Sequence, residues 1–243
     1  MPRVQGWIEE NQPDVLCIQE TKMTEAAFPA LTFQEMGYET AHLGQGQWNG
    51  VAILSKVGLT DVVANFATGE PDAEARIISA TCNGVKVVCV YVPNGRELDH
   101  EHYQYKLRWM KQLRQHVDTI ATPSDDVIVT GDFNIAPDDR DVHEPAKWAG
   151  GVLVSEPERN AYGALLALGL EDVFRRFEQA AASYSWWDYR MGAFRRNHGL
   201  RIDLVLATAA LAGNCTGCHV DREPRLWERP SDHAPVVAEF HLR

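Results

Sequence analysis

The chain has 243 residues, 45% of them hydrophobic, and a net charge of −11. Length and hydrophobic content suffice for a sizeable core in one domain or two intimate halves, and no run of about eighteen apolar residues offers a helical membrane span. The acid excess argues against a simple nucleic-acid-binding module, but not against an enzyme that gathers carboxylates around a divalent cation.

The opening MPRVQGWIEENQPDV has no apolar stretch followed by a small-residue cleavage site, so no secretory leader is expected. Val4, Trp7 and Ile8 recur at helical spacing and predict an amphipathic helix over 3–11, ended by Pro13-Asp14. Residues 15–19 (VLCIQ) read as a short buried strand. Thr24 can cap a helix over 25–36 that Gly37 stops, and strands follow near 38–43 and 50–55. The β-rich runs 77–82 and 85–92 flank Asn83-Gly84, the pair that favours a type I′ hairpin turn. A long helix is predicted over 101–119, and the apolar run 126–130 leads into Gly131-Asp132-Phe133-Asn134. Residues 158–168 read as a helix ended by Gly169, with strands at 202–207 and 235–241.

Interleaved strands and helices, with one clear hairpin, predict an α/β fold whose sheets are not purely parallel. A four-layer αββα sandwich, two mixed sheets face to face with helices outside, suits so many short strands. No repeat, low-complexity tract or Ser/Gly linker interrupts the chain, so residues 1–243 read as a single domain. Five scattered cysteines fit a reduced, cytoplasmic protein better than a disulfide scaffold.

Polar groups collect where apolar strands end, which is where loops present functional side chains. Gln19-Glu20 follows VLCI, Tyr91 through Asn94 follows VVCV, and Asp132 through Asn134 follows VIVTG. Asp203 lies within LRIDLVL, and Asp232-His233 precedes APVVAEF. Singly, such an Asp is more often a turn or cap residue, and a loop His is more often simply solvated. Together they suit phosphoryl hydrolysis. Glu20 and an Asp are hard oxygen ligands for Mg²⁺, and a further carboxylate can deprotonate or orient water. Asn134 and Tyr91 can hold the nucleophile and phosphate oxygens. A His held by a buried Asp can stabilise a developing oxyanion, and Asp203, in apolar surroundings, needs a partner such as His233.

Other signals are weaker. No GxxxxGK[ST] and no GxSxG occurs, which argues against a P-loop nucleotidase and a serine hydrolase. Cys215-Thr-Gly-Cys218 beside His219 has half of a zinc site's spacing, without a second pair. In Tyr184-Ser-Trp-Trp-Asp-Tyr189 one Trp is expected in the core, while Asp188 and Arg190 favour a partly exposed loop that could face a base or sugar. Arg175, Arg176, Arg190, Arg195, Arg196 and Arg201 could form a basic stripe or only a solvated surface.

CIQETK, VYVPNG, VTGDFNIAPDDRDV, SWWDYR, GLRIDLVLA and RPSDHAPV resemble, in order and spacing, the signatures of the bacterial exonuclease III and class II abasic-site endonuclease family, within the endonuclease/exonuclease/phosphatase superfamily. The resemblance runs from residue 3 to the end; GDFN and SDH are superfamily-wide, SWWDYR and GLRIDL more specific. It implies a magnesium-dependent DNA phosphodiesterase of base excision repair, with Mn²⁺ as a substitute. Such an enzyme incises 5′ to abasic sites and acts as a 3′–5′ exonuclease and 3′-phosphatase. The implied partner is double-stranded DNA with abasic sites or 3′ ends, met by a monomer away from any membrane. Glu20 and Asp232 then correspond to metal ligands, Asp132 with Asn134 to the water-activating group, and Tyr91 and Asn94 to phosphate contacts. His233, oriented by Asp203, corresponds to the transition-state stabiliser. Trp186, Leu200 and Ile202 match a pocket for a flipped, baseless sugar, and Arg76 and Arg201 match contacts to the DNA backbone.

The resemblance also implies an opening strand whose Trp-Asn-Val-Asn carries an Asn of the metal site. The expectation is therefore that Met1 is an internal methionine, that about ten to twenty residues precede it, and that this exact chain works poorly. Two other functions remain open at this stage. One is a superfamily hydrolase of phospholipids or inositol phosphates; the other is an inactive DNA-binding remnant.

Overall fold

The computed structural model describes residues 2–122 and 124–242. They fall into two compact units, one built from the stretch up to Tyr91 together with Asp126–Asp132, the other from Val92–Asp125 and the stretch from Phe133 onward.

The first unit opens on α1 (Pro2–Asn11), which buries Trp7 and Ile8, and continues into β1 (Val15–Gln19). The helix expected over 25–36 is broken. Glu25–Ala27 makes one 3-10 turn and only α2 (Ala30–Glu35) is α-helical. Pro29 is the cause, because it supplies no N–H and drives the preceding Phe28 into extended backbone. Gly37, at φ +88°, ends the segment as expected.

β1 and β2 (Glu39–Leu43) flank the wholly buried β3 (Val51–Ser55) in an antiparallel sheet of order β1-β3-β2. β4 (Thr60–Ala64) was not anticipated; every residue of it is exposed, so it shows no apolar alternation to read. β5 (Ile77–Cys82) and β6 (Val85–Tyr91) form the expected hairpin, with Asn83 at φ +47° and Gly84 at φ +81°, the left-handed pair a type I′ turn requires. β7 (Val127–Asp132) pairs parallel to β6, so β4, β5, β6 and β7 lie side by side in mixed directions. β3 packs on β5 and β6, and β1 on β6 and β7. Ile53, Leu54, Ile77, Val88 and Val90 are all buried at 0% exposure on β3, β5 and β6. The fold class is thus the expected α/β sandwich, although the β1-β3-β2 sheet is antiparallel throughout rather than mixed.

In the second unit, α3 (Glu101–Ile120) turns a stripe of Tyr103, Lys106, Met110, Leu113 and Val117 inward. After α4 (Pro145–Trp148), α5 (Glu156–Leu166) packs against α3, its first turn closed by a capping box between Ser155 and Glu158. β8 (Leu170–Asp172) pairs antiparallel with β9 (Asp203–Thr208), which is buried along its whole length. Between them lies α6 (Ala193–Arg196); after β9 come α7 (Ala209–Ala212) and the antiparallel pair β10 (Cys215–Val220) and β11 (Val236–Phe240). β8 is too short and β10 (CTGCHV) too poor in large apolar residues for either to stand out in the sequence. Among the described residues no helix is long and apolar enough to cross a membrane.

One glycine fixes where a candidate catalytic side chain sits. Gly131 has φ +139° immediately before Asp132, and a Cβ there would run into the Val90 carbonyl on β6. Gly131→Ala is expected to lower stability by at least about 2 kcal/mol, or about 4–8 °C in melting temperature. A thermal melt superimposable on that of the unmodified protein would contradict this.

Candidate active site

In the first unit, three polar side chains come off strand ends at one edge. Glu20 follows β1 directly, in left-handed backbone at φ +52°. Tyr91 and Asp132 close β6 and β7 and sit opposite one another in the parallel register. The Tyr91 hydroxyl donates to Glu20 Oε1 at 2.6 Å, and Lys22 Nζ lies 2.6 Å from Glu20 Oε2. Burial pushes the Tyr91 phenol far above its ordinary range, the Glu20 and Asp132 charges add to this, and Arg76 offsets only part. Tyr91 therefore stays protonated and acts as a donor, not a nucleophile. Arg76 lies 4.6 Å from the Tyr91 ring centroid, donates to the Tyr91 carbonyl at 3.2 Å, and pairs with Glu74. At 7% exposure Arg76 braces Tyr91 from behind rather than offering a free guanidinium to a ligand.

In the second unit, the loops after Tyr91 and Asp132 are joined through amides. Asn94 Nδ2 donates to Asn134 Oδ1 at 3.0 Å, and Asn134 Nδ2 donates to the Val92 carbonyl at 2.9 Å. Asn134 holds left-handed backbone at φ +48°.

The remaining motifs meet in one small ladder. Trp186 bridges both Leu200 and His233, Trp187 N–H donates to the Asp232 carbonyl, and Ala234 N–H donates to the Ser185 carbonyl. This explains why SWWDYR, GLRIDL and SDHAP, far apart in sequence, act as one structural element. His233 Nδ1 lies 2.9 and 3.0 Å from the two Asp203 oxygens. That carboxylate assigns the proton to Nδ1 and leaves the exchangeable lone pair on Nε2. Ser185 Oγ accepts from the Ile202 and Asp203 amides at 3.1 Å, fixing where β9 begins. The Trp186 indole N–H donates to Asp232 Oδ2 at 3.0 Å.

Trp186 is half-buried over a cluster that includes Leu200 and Ile202, each 1% exposed. Leu200 and Ile202 are thus the floor of an apolar patch whose accessible member is Trp186. Trp187, at 0% exposure, is the expected core tryptophan.

Two expectations need correction. Arg201 was expected to touch the DNA backbone, yet it is 1% exposed, its guanidinium forked onto Asp141 at 2.6 and 3.2 Å and onto Asp172 at 2.7 Å. Burial alone would lower its pKa, but Asp172 and Asp141 outweigh that and hold it above the ordinary arginine range. The basic stripe is also largely answered within the unit, since Arg175 pairs with Asp141, Arg176 with Glu171 and Arg190 with Asp188.

The donor set suits a hard divalent cation. In the first unit Glu20 offers carboxylate oxygens, its side chain 36% exposed; in the second unit Asp232 offers another carboxylate. Among the described residues no three His, Cys, Asp or Glu side chains form a ready cage. A divalent cation held by few protein ligands would keep water or phosphate oxygens as its other ligands.

Sequence reasoning missed Lys106 and Glu158, both 0% exposed and paired, and Asp141, the acceptor for Arg201. Signals existed: Ser155 and Glu158 have capping-box spacing, and Lys106 interrupts an otherwise apolar helical stripe.

Comparison with known proteins identifies the family. The family model described as "Endonuclease/Exonuclease/phosphatase family" matches residues 2–233, and the chain belongs to that family. Within it, the chain is 35% identical to the exodeoxyribonuclease III of Haemophilus influenzae over 250 residues, covering 98% of this chain and 94% of the relative. A 3′ phosphatase, NExo, from Neisseria, solved with product DNA hairpin, superposes with a TM-score of 0.95 at 40% identity over 99% of this chain and 94% of that one. An AP endonuclease from Archaeoglobus fulgidus gives 0.94 at 40% identity over 98% and 93%.

The Cys215–Cys218 pair lies on β10, and burial raises both thiols, Cys218 to about 12. A thiol so protonated near neutral pH is a poor nucleophile and a poor ligand. Iodoacetamide at pH 8 is expected to spare Cys218 in the folded protein and to modify it in urea, as read by peptide mass spectrometry. Equal labelling in both states would show that the thiol is accessible and ionised.

Proposed function

We propose that the chain is a divalent-cation-dependent DNA phosphodiesterase of base excision repair, which incises 5′ to abasic sites and removes nucleotides and phosphates from 3′ ends. It is a hydrolase of the exodeoxyribonuclease III and AP endonuclease type. The observation that carries this reading is the His233–Asp203 couple set beside Asp232 and Trp186 in one backbone ladder. An imidazole held by a carboxylate, a second carboxylate and a half-open apolar surface side by side support this reading, because hydrolysis of a phosphodiester next to a missing base can use all of them.

Glu20 and Asp232 would hold the cation, Mg²⁺ in the cell with Mn²⁺ as a substitute; when bound it neutralises charge on the phosphate. The chain's own groups divide the remaining work. Asp132 takes the proton from the attacking water, and Asn134 orients that water. Tyr91, locked as a donor, and Asn94 hydrogen-bond to phosphate oxygens. His233, held by Asp203 through Nδ1 and carrying a second proton on Nε2, donates that Nε2–H to the phosphoryl oxygen on which charge builds as the bond breaks. Trp186, over Leu200 and Ile202, receives the sugar that lacks a base and leaves no room for a normal nucleotide. Double-stranded DNA is the partner, met by a monomer.

The direct test is incision of one abasic-site duplex with and without Mg²⁺. Incision that requires the cation is expected; hydrolysis of phospholipid or inositol phosphate headgroups in its place would move the assignment to another branch of the superfamily. Glu20→Gln removes a charged ligand and is expected to weaken the Mg²⁺ dependence and slow incision by at least about a hundredfold. An unchanged Mg²⁺ titration would remove Glu20 from the cation site.

The His–Asp pair is expected to behave as a unit. His233→Ala should lower turnover far more than DNA affinity, and combining it with Asp203→Asn should add little further loss. Strictly additive losses would mean that the two act separately. Trp186→Ala should impair abasic incision more than 3′-phosphate removal, which uses no flipped sugar; equal impairment would make Trp186 a packing residue only.

A further inference from the structure

Lys106 is a fully buried ammonium on the face of α3 that also buries Tyr103, Met110, Leu113 and Val117. Two apolar side chains in place of a buried Lys–Glu pair would often be as stable or more so, so stability alone does not explain the pair. Its reach does. An ammonium has three N–H donors. Here Nζ donates to the Asn94 carbonyl at 3.2 Å, to the Asn134 carbonyl at 2.5 Å and to Glu158 Oε1.

Glu158 is itself held on both oxygens. Oε1 also accepts from Leu153 N at 3.0 Å, while Oε2 accepts from Ser155 N at 3.0 Å and Ser155 Oγ at 2.5 Å. The Ser155 hydroxyl shares a 2.7 Å hydrogen bond with the Tyr103 hydroxyl. The cap of α5 thus anchors the ammonium, and the ammonium grips two loops that are 40 residues apart in sequence. One of those loops carries Asn134 at φ +48°, left-handed backbone that asparagine accepts more readily than other non-glycine residues. On the other loop, Gly95 at φ +95° brings the backbone so close that a Cβ would meet Lys106 Cδ at 3.3 Å.

We propose that Lys106, anchored by Glu158, is a positioning residue: it ties the Asn94 and Asn134 backbones together and so sets the spacing of the amides that face water and phosphate. This rests on the roles assigned above to those asparagines. Loss of the tie lets the loops drift relative to one another, which slows the chemical step while leaving most DNA contacts in place.

The test variant is Lys106→Met with Glu158→Gln, a neutral pair of similar volume that strands no lone buried charge. Single-turnover incision of an abasic duplex is measured below the melting temperature of every variant, and DNA affinity is measured in EDTA. The incision rate is expected to fall about thirtyfold, with affinity within about threefold of the unmodified chain. Asn134→Ala is assayed beside it and should be at least as slow. A wild-type rate in the double variant with a slow Asn134→Ala overturns the positioning role alone. A wild-type rate in Asn134→Ala overturns the reading of the asparagines, and the positioning role with it. If the Met/Gln pair does not fold, Lys106→Gln with Glu158→Gln replaces it. The glutamine is one atom shorter and cannot span both carbonyls, so a rate about tenfold below wild type at unchanged affinity is expected; full activity would overturn the proposal.

Discussion

Asp203 brings a carboxylate to the buried start of a strand whose every residue is shielded from water, and His233 is what satisfies it. Leaving one member of such a pair buried without the other costs about 3–5 kcal/mol, a large share of a domain's stability. The loop that carries His233 therefore cannot stray, and the ladder through Ser185, Trp186 and Leu200 closes in one register around it. The folding requirement and the chemical one coincide: the contact that makes the strand tolerable also orients an imidazole and places Asp232 beside Trp186.

Much of this was legible in the sequence because it follows from strand ends. VLCI, VVCV and VIVT read as buried strands, and the polar residue after each emerged where a strand must stop. The Asn83-Gly84 turn was legible for a similar local reason, since few other pairs accept two left-handed residues in succession. What was not legible depends on contacts far apart in sequence. Arg201 reads as a surface cation within a run of arginines, and only the approach of Asp141 and Asp172 turns it inward. Lys106 lies on the inward stripe of α3, but its partner Glu158 is 52 residues away and only the fold brings the two together. Pro29 was a local signal, and the expected helix through it was a misreading that the proline's missing N–H should have prevented.

The same distinction bears on charge. A net charge of −11 suits poorly a protein that holds DNA. The structure sharpens the conflict by using arginines internally: Arg76 behind Tyr91, Arg201 and Arg175 on Asp141, Arg176 on Glu171. Little unopposed positive charge is thereby left in this stretch, so affinity for undamaged duplex is expected to be weak and salt-sensitive. Under the proposed function, discrimination would fall to the apolar patch at Trp186 and to the groups proposed to act on the phosphate.

The central claim is that this chain breaks DNA by delivering water to phosphorus. Incision of an abasic-site duplex in ¹⁸O-labelled water under single-turnover conditions tests it most directly, with mass analysis of the fragment bearing the 5′ phosphate. The account predicts one solvent-derived oxygen in that phosphate and a 3′-hydroxyl on the other fragment. Strand breakage with an unlabelled phosphate and an unsaturated sugar end would mean that the chain cleaves by elimination, and would contradict it.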